Sequence, residues 1–237
     1  NVHPSVSDLV IAAHDAFSPI AEQARQIRTN LESVLGDRPS RSIVITSPVK
    51  GDGKSLVSAN LAWVLTDNPE HRVLLIDADL RKPDQNRLFG VRRAPGMSEY
   101  LLGKCRLDDA IHPTSMSNLF MMPAGRAQTR PTSLLNGRHL PAMIAELEER
   151  FDWIVFDTPP LLPVTDAALI ARHCTGLILI VRMGQTHRKL IERAQDLLAE
   201  NRLPVLGCVL NEFSPKETTN DYYSSHYAYG YRTDDGK

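Results

Sequence analysis

Three groups of residues in this sequence are suited to chemistry on phosphate. The first is the run Pro48-Val49-Lys50-Gly51-Asp52-Gly53-Lys54-Ser55, which follows an apolar stretch and precedes a helical pattern. That context identifies a phosphate-binding loop. Gly51 and Gly53 let the backbone turn its N–H groups inward. The helix after them presents its positive end to the same charge. Lys54 is placed for the β- and γ-phosphates and Ser55 for Mg²⁺. Asp52 and Leu56 complete the expected nucleotide contact. The general pattern has Gly where this chain has Pro48.

The second group is a set of carboxylates at the ends of apolar runs. VLLIDADLR delivers Asp77 and Asp79, with Arg81 after them, and IVFDTPP delivers Asp157. Ligands of open α/β sheets bind beyond the carboxyl ends of the strands, so all three are expected beside the loop. A carboxylate there can hold Mg²⁺ or accept a proton from an attacking hydroxyl. We expect Ser55, Asp79 and Asp157 to hold the cation and Asp77 to take the proton. Arg81 is expected to steady the phosphates or the aspartates. Exchanging Asp77 and Asp79 stays open at this stage.

The third group is a cluster of hydroxyls. Of the chain's 6 tyrosines, all but Tyr100 lie near its end: Tyr222, Tyr223, Tyr227, Tyr229 and Tyr231. The run has no apolar periodicity, and Asp, Ser, Gly and Arg fill the gaps. A folded domain packs its tyrosines through core and rim. A phosphate donor site and a cluster of phosphate acceptors therefore share one polypeptide.

The elements that must position these groups follow from periodicity. Ser18-Pro19 reads as a helix cap with Pro at the first helical position, and that helix runs to Leu35 before Gly36. Short apolar runs without polar alternation, at 41–47, 72–77, 119–122, 153–157, 177–181 and 206–210, read as strands. Helices are expected at 55–66, 96–102, 107–111, 138–151, 166–173 and 187–200. The alternation implies a parallel sheet covered on both faces. The expected class is α/β, a P-loop NTPase-like three-layer sandwich. Residues 1–17 read as a linker or N-terminal helix, 18–214 as the nucleotide domain and 215–237 as a tyrosine-rich tail. Glu146, Glu148 and Glu149 are expected on a wet helix face.

Composition narrows the class. The chain has 237 residues, 42% hydrophobic, and a net charge of −1 with no long basic run. One full core can be buried, and nucleic acid is not the expected partner. Cys105, Cys174 and Cys208 form no metal pattern and read as buried thiols in a reducing compartment. No stretch is long and apolar enough to span a bilayer. The first residue is Asn1, and the chain reads as a piece of something longer.

Together these residues resemble the bacterial tyrosine kinase family, whose catalytic domains adapt a P-loop ATPase fold. Its Walker A, Walker A′ and Walker B motifs correspond to PVKGDGKS, LLIDADLR and IVFDTPP. Its ExxRxxR motif corresponds to Glu22, Arg25 and Arg28, and its tyrosine-rich end to Tyr222–Tyr231. The resemblance implies ATP and Mg²⁺ as cofactors, an adenine contact at Asn211, and transfer in trans within a ring-shaped homo-oligomer, an octamer being one size it allows. Glu22, Arg25 and Arg28 share one helix face; spacing alone favours a solvated face with internal ion pairs, and the resemblance implies an interface between subunits. The resemblance further implies a membrane-embedded activator, fused or separate, a cognate tyrosine phosphatase, a cytoplasmic site at the inner face of the membrane and a role in extracellular or capsular polysaccharide production. The alternative is a ParA/MinD-like nucleotide-switched ATPase. That group carries a signature Lys where this chain has Val49, and lacks the tyrosine tail.

Overall fold

The apolar runs become neighbouring strands of one sheet. In the computed structural model, which describes residues 6–212, the strands are β1 (Arg41–Thr46), β2 (Val73–Asp77), β3 (His112–Pro113), β4 (Leu119–Met122), β5 (Trp153–Asp157), β6 (Gly176–Arg182) and β7 (Val205–Asn211). They form a 7-stranded sheet in the order β3-β4-β2-β5-β1-β6-β7. Every neighbouring pair is parallel except the two-residue β3 against β4.

The connecting helices are α1 (Ile11–His14), α2 (Pro19–Leu35), α3 (Lys54–Leu65), α4 (Gln85–Leu88), α5 (Met97–Leu101), α6 (Leu107–Ala110), α7 (Pro131–Leu135), α8 (His139–Glu148), α9 (Asp166–Ala171) and α10 (Arg188–Glu200). Alternate residues of each strand enter opposite cores. Leu74, Ile76, Ile154 and Phe156 pack with α8, α9 and α10, while Val73, Leu75, Trp153 and Val155 pack with α2 and α3. Two cores on the two faces make the three-layer sandwich and explain why the strands lack polar alternation. Each such fully buried side chain contributes about 1.5–3 kcal/mol.

Helix α2 begins as its sequence requires: the Ser18 hydroxyl accepts from the Ala21 N–H at 3.2 Å, and Pro19 follows. The segment before it packs on the domain. Val6, Val10, Ala12 and Ala13 are buried. Asn60 of α3 accepts from the Ala12 N–H at 2.9 Å and donates to the Leu9 carbonyl at 3.4 Å. Among the described residues no helix is long and apolar enough to cross a membrane.

Some expectations are corrected. Glu148 does not lie on a purely wet face, because its carboxylate accepts from the Ser42 hydroxyl at 2.5 Å. Cys208 is exposed on β7, the strand at the open edge of the sheet, and is not a core thiol. The short elements α4, α7 and β3 carry too little periodicity to be read from sequence.

Candidate active site

The register brings the carboxylates together. Asp77 of β2 lies beside Asp157 of β5, and Asp157 also lies beside Ile45 of β1. Strand β1 runs directly into the phosphate loop, so loop and aspartates share one end of the sheet. A cavity of about 490 Å³ opens there, lined by Gly51, Gly53, Lys54, Ser55, Leu56, Asp79 and Arg81, among others.

The loop takes its shape from two glycines and several braces. Gly51 and Gly53 have φ of 98° and 87°, conformations that favour glycine. Pro48 fits without a glycine because the left-handed positions fall later, and its carbonyl accepts from the Leu162 N–H at 3.3 Å. Asp52 is buried and points away from the cavity, accepting from the Thr186 hydroxyl at 2.6 Å. Asn211, at the end of β7, donates to the Asp52 carbonyl at 3.0 Å.

Lys54 reaches over the carboxylates. Its ammonium lies 3.7 Å from Asp79 Oδ2, 3.9 Å from Asp157 Oδ1 and 3.3 Å from the Ser55 hydroxyl. Asp79 also accepts from the N–H groups of Arg81 and Lys82 at 3.2 and 2.9 Å. Asp77 is fully buried and does not line the cavity. Its oxygens accept from the N–H groups of Asp79, Asp84 and Gln85 at 3.3, 3.0 and 3.0 Å.

Burial, with neighbouring charges second, sets their titration. Burial, then the Asp157 charge, pushes the Asp77 carboxyl up to about 8, against the pull of the Gln85 N–H. Burial also raises Asp157, opposed by Lys54 and by hydrogen bonds from Gln85 and Ser55. Among the described residues no three such side chains are already gathered as a metal cluster. Mg²⁺ needs no such cluster, since it takes one or two carboxylates along with phosphate oxygens and water. The hard-oxygen set of Ser55, Asp79 and Asp157, arranged around the Lys54 ammonium, fits that demand.

Arg81 turns from the aspartates of the site to another carboxylate. Its guanidinium donates to both oxygens of Asp166, at 2.8 and 3.3 Å, and to the Thr132 hydroxyl at 2.9 Å, which itself donates to Asp166 at 2.6 Å. Asp166 is fully buried. Asp166 and Thr132 were not foreseen; an Asp at the first turn of a short helix looks like an ordinary cap.

Glu22, Arg25 and Arg28 stay on one face of α2, but the arginines are engaged within the chain. Arg25 and Arg28 both reach Asp67, at 3.0 and 3.2 Å, and Arg28 donates to the Val64 carbonyl at 2.8 Å. Arg25 also contacts Glu22 at 3.5 Å. These contacts pin α2 to the carboxyl end of α3. The tyrosines Tyr222, Tyr223, Tyr227, Tyr229 and Tyr231 lie outside the described residues.

The chain is similar to known proteins in sequence and in fold. A ParA-type family model, described as NUBPL iron-transfer P-loop NTPase, matches residues 38–227. The tyrosine-protein kinase YwqD of Bacillus subtilis is 34% identical over 94% of this chain and 90% of its own length. The tyrosine-protein kinase wzc of Salmonella typhi is 32% identical over 90% of this chain, which spans 29% of that longer relative. Among solved structures, the kinase domain of Escherichia coli tyrosine kinase ETK superposes with a TM-score of 0.84 at 27% identity, covering 93% of this chain and 86% of that one. MinD of Pyrococcus horikoshii, solved with Mg-ADP, reaches a TM-score of 0.64 at 27% identity, over 75% of this chain and 72% of that one. The chain thus belongs to the bacterial tyrosine-protein kinase family, a P-loop protein-tyrosine kinase built on the ParA-type nucleotide fold.

Proposed function

We propose that this protein is an autokinase that transfers the γ-phosphoryl group of Mg-ATP to its own tyrosine cluster, Tyr222, Tyr223, Tyr227, Tyr229 and Tyr231. One observation carries the reading: a braced phosphate loop and three carboxylates occupy one end of the sheet, in a chain that also bears the acceptor cluster. The alternative of a nucleotide-switched assembly ATPase draws support from the likeness to MinD, which is weaker than the likeness to ETK.

Phosphoryl transfer has a loose transition state, so the residues mainly position groups and neutralise charge. Lys54, together with the loop N–H groups, would meet the β- and γ-phosphates. Ser55, Asp79 and Asp157 would hold Mg²⁺, which would supply neutralisation of phosphate charge. A tyrosine hydroxyl, with a free pKa of about 10, must give up its proton. Asp77 is our proton acceptor; a carboxyl pushed up to about 8 is a strong base once ionised, which it becomes only towards that pH. Its burial favours a second assignment, in which Asp79, which lines the cavity, takes the proton and Asp77 shapes the turn. Arg81 orders the cavity wall through Asp166.

Transfer in trans within a ring, with Glu22 as the exposed member of the α2 face, completes the proposal. So do a membrane-embedded activator, a cognate phosphatase, a place at the cytoplasmic face of the membrane and a role in extracellular or capsular polysaccharide production. These rest on the family.

The test strips the protein with a phosphatase, removes it, adds Mg-ATP and follows intact mass. Gains in steps of one phosphate, absent from Lys54→Ala and from a chain ending at Asn220, establish the autokinase. ATP hydrolysis with no gain in mass favours the assembly ATPase.

A further inference from the structure

We propose that Gln85 is a positioning residue that sets two of the three cation-holding groups of the site, Asp157 and Ser55, with one side-chain amide. The inference rests on the reading that Asp157 and Ser55 hold Mg²⁺.

Gln85 is the first residue of α4 and is fully buried. Its Nε2 donates to Asp157 Oδ2 and to the Ser55 carbonyl, both at 2.8 Å. Its backbone N–H donates to Asp77 Oδ2 at 3.0 Å. One residue therefore ties together the start of α3 and the ends of β2 and β5. Chemistry fixes the orientation of the amide, because exchanging its oxygen and nitrogen would set an acceptor against two acceptors. The cost is visible: Gln85 Oε1 is buried with no partner among the described residues. A space-filling role would be met without that unpaired acceptor; the amide is suited to the site by its two donors.

The consequence lies in which oxygen faces the Lys54 ammonium. With Oδ2 taken by Gln85, Asp157 presents Oδ1 to the Lys54 ammonium, 3.9 Å away. The tether on the Ser55 carbonyl fixes the peptide from which the Ser55 hydroxyl projects, 3.3 Å from the same ammonium. Lys54 thus marks the place where a cation meets both groups. Partners that orient metal ligands in this way typically change metal affinity 10- to 100-fold.

The experiment measures ADP affinity in Mg²⁺ and in EDTA for the full chain. Gln85→Met keeps length and volume but has no donor, and Gln85→His keeps one N–H at similar reach. We expect Gln85→Met to retain the EDTA affinity and lose about tenfold or more of the gain that Mg²⁺ confers. Gln85→His should recover part of that gain. If Gln85→Met does not unfold cooperatively, Gln85→His carries the test through a partial loss at unchanged EDTA affinity. The inference is overturned if the variants keep the full Mg²⁺ gain, or lose affinity equally with and without the cation. Asp157→Asn separates the two levels: if it matches wild type in its Mg²⁺ gain, the cation site itself is misread and the inference falls with it.

Discussion

Asn211 closes on Gly53. A side chain at Gly53 would place its Cβ 2.0 Å from Asn211 Nδ2, while that same amide holds the Asp52 carbonyl at 3.0 Å. The last strand of the sheet therefore clamps the phosphate loop, and only glycine leaves room for the clamp. Asn211, for which the resemblance implies an adenine contact, braces the loop through its amide.

Gly53→Ala meets two obstacles, a φ of 87° and the Asn211 amide. The left-handed backbone costs about 1–2 kcal/mol, and the close contact adds to it. ADP affinity should fall more than tenfold, with a lower melting temperature. Gly53→Ala combined with Asn211→Ala should lose less than the sum of the single changes. Strict additivity in a double-mutant cycle would rule out the clamp.

The proton acceptor is decided by comparing Asp77→Asn with Asp79→Asn. If Asp77 takes the proton, Asp77→Asn binds Mg-ATP normally and does not transfer phosphate, while Asp79→Asn loses Mg²⁺-dependent affinity. The opposite pattern assigns the proton to Asp79 and agrees with the burial of Asp77. Calorimetry and intact mass on the same samples separate binding from transfer.

Stability should depend on pH in a definite direction. The folded protein holds the Asp77 carboxyl at about 8, against about 3.9 in an unfolded chain. Between those values the folded state keeps a proton that the unfolded chain has released. Stability from this group is therefore greatest below about pH 4 and falls as pH rises towards 8. Denaturant midpoints at pH 5 and 8 should differ more for wild type than for Asp77→Asn, and Mg-ADP should narrow the wild-type difference. Equal slopes in wild type and variant would show that the buried carboxyl is not strained.

Arg81→Ala leaves the buried Asp166 with Thr132 as its one side-chain partner among the described residues. The expected loss is about 1–3 kcal/mol in denaturant unfolding. Arg81→Ala with Asp166→Ala should regain part of that stability. If phosphate transfer returns with it, Arg81 acts through the cavity wall; if transfer stays low in a stable double variant, Arg81 touches the phosphates.

A ring assembled on the α2 face should respond to the state of the tail. Each phosphotyrosine adds about −1.5 to −2 charges, which a carboxylate-lined site repels. Light scattering should show a large assembly after phosphatase treatment and smaller species after Mg-ATP. An assembly unchanged by full phosphorylation would reject this coupling.

Much of the molecule was legible before its coordinates. Strands β1, β2 and β5 announce themselves because a parallel sheet buried on both faces needs unbroken apolar runs. Lys54, Ser55, Asp77, Asp79 and Asp157 follow from the same logic, since each ends or follows such a run. The cap at Ser18 is local chemistry between neighbours in sequence. Tertiary structure alone decided the partners. It brought Gln85 to Asp157 across 72 residues, Arg81 to Asp166 across 85 and Asn211 to Asp52 across 159. It also turned Arg25 and Arg28 inward to Asp67, and closed the turn after β2 over Asp77. Periodicity and motifs report the chain's own neighbours and the water each residue avoids. Which donor meets which buried acceptor depends on strand order, helix placement and register, and those exist only once the sheet has formed.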